Sequence, residues 1–160
     1  FMKWPSFNKD LWDKIYESSV AKISESDVRI YASDISDNVL KKTKENIVNA
    51  RVDDIVRVKC RSIQELERPE TGEKGVMVIN PPYGERMDKD DLDQLYSQIG
   101  DAMKTKWAGY SCWIITPNAE AVKKIGLHAT RRITVFNGPL ECKFLKYEIY
   151  AGTKKVHKLA

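Results

Sequence analysis

The segment Asn80-Pro81-Pro82-Tyr83, which is followed by Gly84, contains groups that can hold and align an amino group. The two prolines stiffen the backbone, so that the side-chain amide oxygen of Asn80 and the carbonyl oxygen of Pro81 can face one point. Two fixed acceptors suit an exocyclic NH2 group, because each accepts one hydrogen and leaves the nitrogen lone pair free to attack. Tyr83 adds a flat ring on which a planar base or amide can stack. A turn that only ends a strand needs none of these features, so the segment predicts an amine-binding site.

Asp34 is the second candidate, because it directly follows the β-rich run VRIYAS (28–33) and precedes a predicted helix. In an open α/β sheet, ligands bind beyond the carboxyl ends of the strands. A carboxylate in that position can accept hydrogen bonds from both ribose hydroxyls of an adenosine-containing cofactor. It can equally serve the N-terminus of the following helix, where a negative charge contributes roughly 0.3–1 kcal/mol. These residues alone favour neither interpretation.

The elements that must position these residues alternate between strands and helices. Apolar residues at helical spacing predict helices over 8–23, 37–50, 90–105 and 119–127. Asn8 is the predicted N-cap of the first of these helices, and the residues predicted to face inward in the second are Val39, Leu40, Thr43 and Ile47. β-rich runs predict strands over 28–33, 55–60, 75–79, 112–116, 131–136 and 142–151. The run 75–79 is continuously apolar, which is typical of a strand buried on both faces, and Asn137-Gly138-Pro139 predicts an antiparallel hairpin between the last two strands. The alternation predicts an α/β fold with a mostly parallel sheet that ends in this hairpin.

The composition is that of one globular domain, with 160 residues of which 42% are hydrophobic and 31% charged. The formal net charge is +4, but residues 101–160 hold 11 basic and 4 acidic side chains, whereas residues 1–100 hold 16 and 19. A basic last third is compatible with a polyanionic partner such as nucleic acid, although a solvated lysine-rich face explains it more simply. One hypothesis is a basic rim beside the amine-binding site, formed by Lys104, Lys106, Lys123, Lys124, Arg131 and Arg132.

Several other classes of protein are disfavoured. No apolar run approaches the roughly 20 residues that a membrane-spanning helix needs, and the first residues lack a signal-peptide pattern. Cys60, Cys112 and Cys142 are not spaced for zinc, and we expect each to be a buried, reduced thiol of a cytoplasmic protein. Because His128 and His157 are the only histidines, we also expect no metal site.

The longer string VMVINPPYGERM (76–87) is more specific than its Asn-Pro-Pro-Tyr core. The core is shared by S-adenosylmethionine-dependent methyltransferases that act on adenine N6, cytosine N4, guanine N2 or a glutamine amide. The longer string resembles the C-terminal catalytic domain of the bacterial THUMP-associated 23S rRNA guanine-N2 methyltransferases. Other segments that resemble this family are FMKWPSFNKDLW (1–12), YASDISDNVLKKTKENIVNA (31–50), IITPNAEAVKKIGL (114–127) and FNGPLECKFLKYEIY (136–150). The resemblance extends over almost the whole chain.

This resemblance implies a Rossmann-like class I methyltransferase fold and S-adenosylmethionine as the cofactor. Carried over residue by residue, it implies that Asp34 binds the cofactor ribose and that Ile35 packs near the adenine. Ser62 stands where the family usually has an Asp that contacts the adenine amine. A hydroxyl can accept that hydrogen bond but carries no charge, so the role is weakened at this position.

The resemblance also implies the residues that handle the substrate. Asn80, Pro81, Pro82 and Tyr83 would form the amine-binding and stacking site, with Asn80 also next to the cofactor. Arg86, adjacent to the motif, would lie near a bound nucleotide, or would equally anchor the loop by pairing with an acidic neighbour. The expected partner is 23S rRNA, whose target base must be extruded from paired RNA to reach such a pocket.

One motif of the family is absent, namely the glycine-rich loop after its first strand. The eight glycines include no Gly-x-Gly, and the first of them is Gly72. In the family's fold that first strand lies in the middle of the sheet, between the strand ending at Asp34 and the strand preceding Asn80. The resemblance therefore implies that residues 1–160 are the C-terminal portion of a methyltransferase domain, lack the central strand, and bind cofactor poorly alone. It also implies an N-terminal THUMP domain and the remaining methyltransferase segment in the full-length protein. The lysines in the last residues predict a basic tail at 153–160.

The predicted reaction is direct methyl transfer from S-adenosylmethionine to an exocyclic amino group of a nucleobase, with guanine N2 of 23S rRNA as the preferred acceptor. The alternatives are adenine N6, a protein glutamine amide, and a non-catalytic RNA-binding module. A nicotinamide-dependent dehydrogenase would account for Asp34, but the chain has no Gly-x-Gly-x-x-Gly. The predicted reaction requires neither a metal nor a strong general base, and we expect no membrane partner.

Overall fold

A computed structural model gives the structure of the chain and describes residues 1–25, 27–69, 74–84 and 87–152. The chain divides into two compact units, Phe1–Lys59 and Cys60–Ala160. Arg86 and the basic tail at 153–160 lie outside the described residues.

The first unit contains a β-α-β unit preceded by a helix. Its elements are α1 (Lys9–Val20), β1 (Ile30–Asp34), α2 (Asp37–Asn49) and β2 (Val56–Cys60), whose last residue begins the second unit. β1 and β2 are neighbours in a two-stranded sheet. The predicted N-cap Asn8 begins α1 by accepting a hydrogen bond from the backbone N–H of Leu11, and Ser36 begins α2 in the same way.

The first unit buries few apolar side chains. Leu40 is the one buried residue among those that the structure describes in this unit. It forms the predicted inward stripe of α2 together with the half-buried Thr43 and Ile47. The inward orientation predicted for Val39 is wrong, since this side chain is 46% exposed. Val39 is four positions before Thr43 but adjacent to Leu40, so it lies at the exposed margin of this stripe.

The second unit contains a four-stranded sheet with two helices. Its elements are β3 (Val76–Ile79), α3 (Lys89–Lys106), β4 (Ser111–Thr116), α4 (Ala119–Lys124), β5 (Arg131–Asn137) and β6 (Leu140–Glu148), with strand order β3-β4-β6-β5. β3 is parallel to β4, and β6 is antiparallel to both β4 and β5. In this sheet β3, β4 and β5 therefore point in one direction and β6 in the other. The α/β fold and the C-terminal hairpin are confirmed, and the sheet is mixed, with one parallel and two antiparallel pairs among these four strands.

The core of the second unit lies between its helices and its sheet. Apolar side chains recur at helical spacing along α3 and alternate along β4 and β6. Together with Ile125, which follows α4, they form one buried cluster. Its members include Leu92, Tyr96, Ile99, Met103, Cys112, Ile114, Ile125, Leu145 and Tyr147. Met77 and Ile79 of β3 pack against this cluster. Val76 and Val78 point the other way and are 69% and 65% exposed. The prediction that this strand is buried on both faces is wrong, because the described core residues pack only against the face with Met77 and Ile79.

The cysteines also depart in part from expectation. Cys112 and Cys142 are buried as predicted, but Cys60 is exposed. Cys60 is the last residue of β2, where the chain leaves the sheet. No helix in the described parts of the chain has the length and hydrophobicity to cross a membrane.

Candidate active site

The predicted amine-binding motif lies at the carboxyl edge of the four-stranded sheet. Because β3, β4 and β5 point in one direction, the residues that end or follow them share one edge. Asn80 follows β3, Asn118 follows β4, and Asn137 is the last residue of β5. We call the edge formed by Asn80–Gly84, Asn118 and Asn137 the motif edge. This is where ligands bind in open α/β sheets.

Within the motif, the two side chains predicted to do chemistry are in contact. The hydroxyl of Tyr83 donates a hydrogen bond to Oδ1 of Asn80 over 2.8 Å. Pro81 is buried, whereas Asn80 and Pro82 are exposed and Tyr83 is half-buried. The turn is thus anchored through Pro81 and presents the amide of Asn80 and the ring of Tyr83 at the surface.

Asn137 reaches the same group from the β5–β6 hairpin. Its Nδ2 donates to the hydroxyl oxygen of Tyr83 over 3.5 Å. The hairpin loop has two residues, since Asn137 pairs with Leu140. Gly138 in this loop has a φ of 61°, a conformation that glycine adopts without strain. Glycine at the first position of a two-residue loop is typical of a hairpin, so the sequence predicted Asn137 only as part of a turn, with no role in the site.

A small network of hydrogen bonds connects Asn118 at the motif edge to the core. The hydroxyls of Tyr96 and Thr116 lie 2.6 Å apart in the core, and the backbone N–H of Asn118 donates to Oγ1 of Thr116 over 3.1 Å. Burial raises the pKa of Tyr96, so it stays a neutral phenol.

Gly84 has a φ of 99°, and a Cβ there would lie 2.8 Å from Cδ2 of the buried Leu92. Glycine after Tyr83 therefore lets the motif pack closely on α3.

The candidate ribose-binding residue lies in the turn between β1 and α2. Asp34 is half-buried, and its Oδ1 accepts a hydrogen bond from the backbone N–H of Ser36 over 2.7 Å. This contact agrees with the helix N-terminus interpretation. The hydrogen bond from Ser36 occupies only Oδ1 of the Asp34 carboxylate. Because each carboxylate oxygen can accept more than one hydrogen bond, Asp34 can still bind ribose hydroxyls. Ile35, expected near the adenine, is 76% exposed.

Ser62 lies just beyond β2 and is engaged by a nearby carboxylate. Its backbone N–H and its hydroxyl donate to Oε2 of Glu65 over 3.0 and 3.1 Å. These bonds, with smaller contributions from the charges of Arg61 and Lys106, lower the pKa of Glu65. Glu65, three residues later, thus supplies the negative charge that an Asp at position 62 would carry. Glu65 was not predicted as a site residue, although Ser-x-x-Glu is a recognisable capping pattern in which these two residues bond.

The structure does not support a basic rim at the motif edge. Arg131 and Arg132 begin β5, whereas Asn137 at the motif edge ends it, and a strand rises about 3.3 Å per residue. Lys104, Lys123 and Lys124 form ion pairs with acidic side chains, and Lys106 donates to the carbonyl oxygen of Gln64. These cations are therefore positioned by local partners.

The structure thus brings Asn80, Pro81, Pro82 and Tyr83 together as one group in the second unit. Asp34 and Ile35 belong to the first unit, and Ser62 belongs to the second. Within the described ranges, no group of three or more His, Cys, Asp or Glu side chains could hold a metal ion.

Comparison with known proteins identifies the family. The family model described as RMKL-like, methyltransferase domain, matches residues 3–146. Ribosomal RNA large subunit methyltransferase K/L of Shewanella baltica is 31% identical over 160 residues, which cover 97% of this chain and 22% of that protein. The chain thus spans about a fifth of the length of this relative.

Two solved structures share the fold. A crystal structure titled as a possible methylase from Clostridium difficile 630 matches 96% of this chain and 40% of its own, with a TM-score of 0.78 and 29% identity. The crystal structure of SMU.472 complexed with SAH matches the same shares with a TM-score of 0.78 and 22% identity. With the family model extending over most of its length, this chain belongs to the RMKL-like methyltransferase domain family.

Proposed function

We propose that this chain is part of an S-adenosylmethionine-dependent methyltransferase that modifies an exocyclic amino group of an RNA base. The main support is the position of Asn80 and Tyr83, which are hydrogen bonded to each other at the carboxyl edge of the sheet. Membership of a methyltransferase family supports the reaction class. The Shewanella baltica relative is named as a ribosomal RNA large subunit enzyme, which supports RNA as the substrate class.

The preferred acceptor is guanine N2 in 23S rRNA. This choice follows the resemblance of the string 76–87 to enzymes of that specificity. Asn80 and Tyr83 would suit adenine N6 or a glutamine amide equally, since each offers a planar group with an NH2. The half-buried ring of Tyr83 provides the stacking surface for an extruded base.

The residues of this chain bind and orient the amine. Bound S-adenosylmethionine supplies a methyl group activated by its sulfonium. Oδ1 of Asn80 and the carbonyl oxygen of Pro81 would each accept one N–H of the amine, which would leave the nitrogen lone pair free to attack an activated methyl group. The nitrogen would receive that methyl group as its bond to the sulfonium sulfur breaks, which would leave the cofactor as a neutral thioether. The two oxygens stabilise the positive charge that develops on nitrogen, which then loses a proton to solvent.

Asp34, Ile35, Ser62 and Asn80 are the proposed cofactor residues. All four lie at the carboxyl end of a strand, where ligands bind in open α/β sheets. Asp34 is the last residue of β1, and Ile35 follows it. Asn80 directly follows β3, and Ser62 lies two residues after the end of β2. Asp34 would bind the ribose hydroxyls, and Ile35 would pack near the adenine. Ser62 would act with the ionised Glu65, which provides the charge that a hydroxyl lacks. Arg86 stays a proposal for nucleotide contact.

The chain is further proposed to be the C-terminal portion of its methyltransferase domain. Among the described strands, β1 pairs only with β2 and β3 pairs only with β4. A strand from the rest of the domain would pair along the open edge of β3, and its glycine-rich loop would hold the methionine part of the cofactor. A THUMP domain and a cytoplasmic location belong to the same proposal. Calorimetry should then detect tight S-adenosylmethionine binding by the intact natural protein and weak binding by residues 1–160, whereas equal binding would contradict the proposal.

Transfer of labelled methyl from S-adenosylmethionine tests the proposed function. The intact natural protein is incubated with 23S rRNA that lacks its methyl groups, and the nucleosides are then separated. Label in N2-methylguanosine is expected. Label in N6-methyladenosine would reassign the acceptor, and label in a protein would point to a glutamine amide. RNA binding without any transfer would contradict catalysis and favour a non-catalytic binding module.

A further inference from the structure

Three side chains at the motif edge form a directed chain of hydrogen bonds. Nδ2 of Asn137 donates to the hydroxyl oxygen of Tyr83, and that hydroxyl donates to Oδ1 of Asn80, over 3.5 and 2.8 Å. An amide nitrogen can only donate, whereas a phenol both accepts and donates. The donation from Asn137 therefore leaves the Tyr83 proton directed at Asn80.

This direction determines which atom Asn80 presents to a ligand. A side-chain amide can rotate by about 180° and exchange its oxygen for its NH2 group. An NH2 group there would repel a substrate amine, because both would be donors. The Tyr83 proton holds Oδ1 in place, and the second lone pair of that oxygen is left to accept an N–H of the substrate.

We propose that Asn137 is a positioning residue for methyl transfer, which acts through the Tyr83 hydroxyl to keep Oδ1 of Asn80 turned toward the acceptor amine. This inference rests on the proposed function. It adds a residue from the last hairpin, 54 positions away from Tyr83 in the sequence, to a site otherwise built from one contiguous motif.

The hairpin is well suited to hold Asn137 in place. Besides the two-residue loop, Nζ of Lys143 links the strands by donating to Oγ1 of Thr134 over 2.9 Å. Asn137 and Thr134 are themselves exposed, so the bond from Asn137 to Tyr83 contributes little to the core. At 3.5 Å that bond is at the long limit for a hydrogen bond. Catalytic hydrogen bonds are often long without substrate and shorten when it binds.

A double-mutant cycle in the intact natural protein tests this inference. Tyr83→Phe keeps the stacking ring and removes the hydroxyl, Asn137→Ala removes the donor, and the double variant removes both. We expect each single variant to lower kcat about 5- to 30-fold, with an unchanged KM for S-adenosylmethionine. Because Asn137 acts through the Tyr83 hydroxyl, the double variant should be no slower than Tyr83→Phe alone.

Asn137→Asp and Asn46→Ala complete the design. Asn137→Asp keeps the size of the side chain but offers a carboxylate that can accept the Tyr83 proton in place of Asn80, so it should be at least as slow as Asn137→Ala. It decides the matter if the alanine variant fails to fold. Asn46 is exposed on α2, and Asn46→Ala should keep full activity. Asn80→Ala separates the two proposals, since it should abolish transfer if the proposed function is right.

Three results would overturn the inference or its basis. If Asn137→Ala and Asn137→Asp keep wild-type kcat while Asn80→Ala is inactive, the role of Asn137 is wrong and the proposed function stands. If the losses from Asn137→Ala and Tyr83→Phe multiply in the double variant, Asn137 does not act through Tyr83. If Asn80→Ala retains normal transfer, the proposed function itself is wrong.

Discussion

Tyr96 and Thr116 share a hydrogen bond that links the second turn of α3 to the last residue of β4. Their hydroxyl oxygens lie 2.6 Å apart, with 0% and 1% of the two residues exposed. Oγ1 of Thr116 also accepts the backbone N–H of Asn118, with which the chain continues along the motif edge. The packing of the core is thereby connected to the surface where the substrate is proposed to bind.

Tyr96→Phe should lower the free energy of unfolding by about 1–2 kcal/mol, because the buried Thr116 hydroxyl loses a partner that water cannot replace. Urea unfolding followed by tryptophan fluorescence measures this difference. Tyr16→Phe is the matched control, since Tyr16 is 58% exposed on α1. Equal stability of the two variants would show that the buried bond contributes nothing.

Gly100→Ala should be more damaging than any surface change on α3. A Cβ at this position would lie 2.0 Å from the backbone carbonyl oxygen of Ile125, so α3 and the end of α4 would have to separate. Overpacking of this kind costs about 1–3 kcal/mol, and occasionally more. Gln94→Ala, at an exposed position of the same helix, should leave the unfolding midpoint unchanged or raise it slightly. A Gly100→Ala variant as stable as Gln94→Ala would contradict the close approach of the two helices.

The three cysteines should differ sharply in their reaction with iodoacetamide. Burial leaves Cys112 with no exposed surface and raises its pKa to about 12, so its reactive thiolate is scarce at neutral pH. Cys60 is exposed and should be alkylated first in the native protein. Peptide mass spectrometry over time locates the label, and the same reaction in urea provides the control in which all sites react. Equal native rates at Cys60 and Cys112 would contradict the burial of β4.

Glu148 should make the stability of the second unit depend on pH in the acid range. The ammonium of Lys146 and the hydroxyl of Ser111 bond its carboxylate and lower its pKa below the usual 4.5. A lowered pKa in the folded state gives stability that is present above pH 4.5 and lost as the pH falls through the folded-state pKa. Thermal unfolding between neutral pH and about pH 3 should therefore decline less steeply for Glu148→Gln than for the natural protein. Identical slopes would show that these bonds do not favour the ionised form.

The elements of the fold could be predicted closely from the sequence. Strong periodicity placed α3 at 90–105, against Lys89–Lys106 in the structure, and the turn residues Asn137-Gly138-Pro139 predicted the antiparallel pairing of the last two strands. Burial was harder to predict, because it depends on what covers each face of a sheet. The apolar run 75–79 therefore predicted a fully buried strand, but Val76 and Val78 are exposed.

The site could be predicted only where its residues are contiguous. Asn80 and Tyr83 lie within one turn, so their types and spacing alone indicated that they act together. Asn137 and Tyr83 are 54 positions apart, and their strands lie at opposite ends of the order β3-β4-β6-β5, so neither sequence spacing nor strand pairing indicates that they meet. Glu65 was missed for a different reason, since a charge was expected at the position of Ser62 itself.

The most direct test of the central claim is methyl transfer by the Asn80→Ala variant of the intact natural protein. Removing a group that binds the amine and stabilises its developing charge should lower kcat by about 100- to 1,000-fold. The circular dichroism spectrum should remain that of the natural protein, because Asn80 is exposed. The Asn46→Ala control should transfer methyl groups to ribosomal RNA at the normal rate. A folded Asn80→Ala variant that turns over like the natural protein would contradict the assignment of the Asn80–Tyr83 group as the amine-binding site.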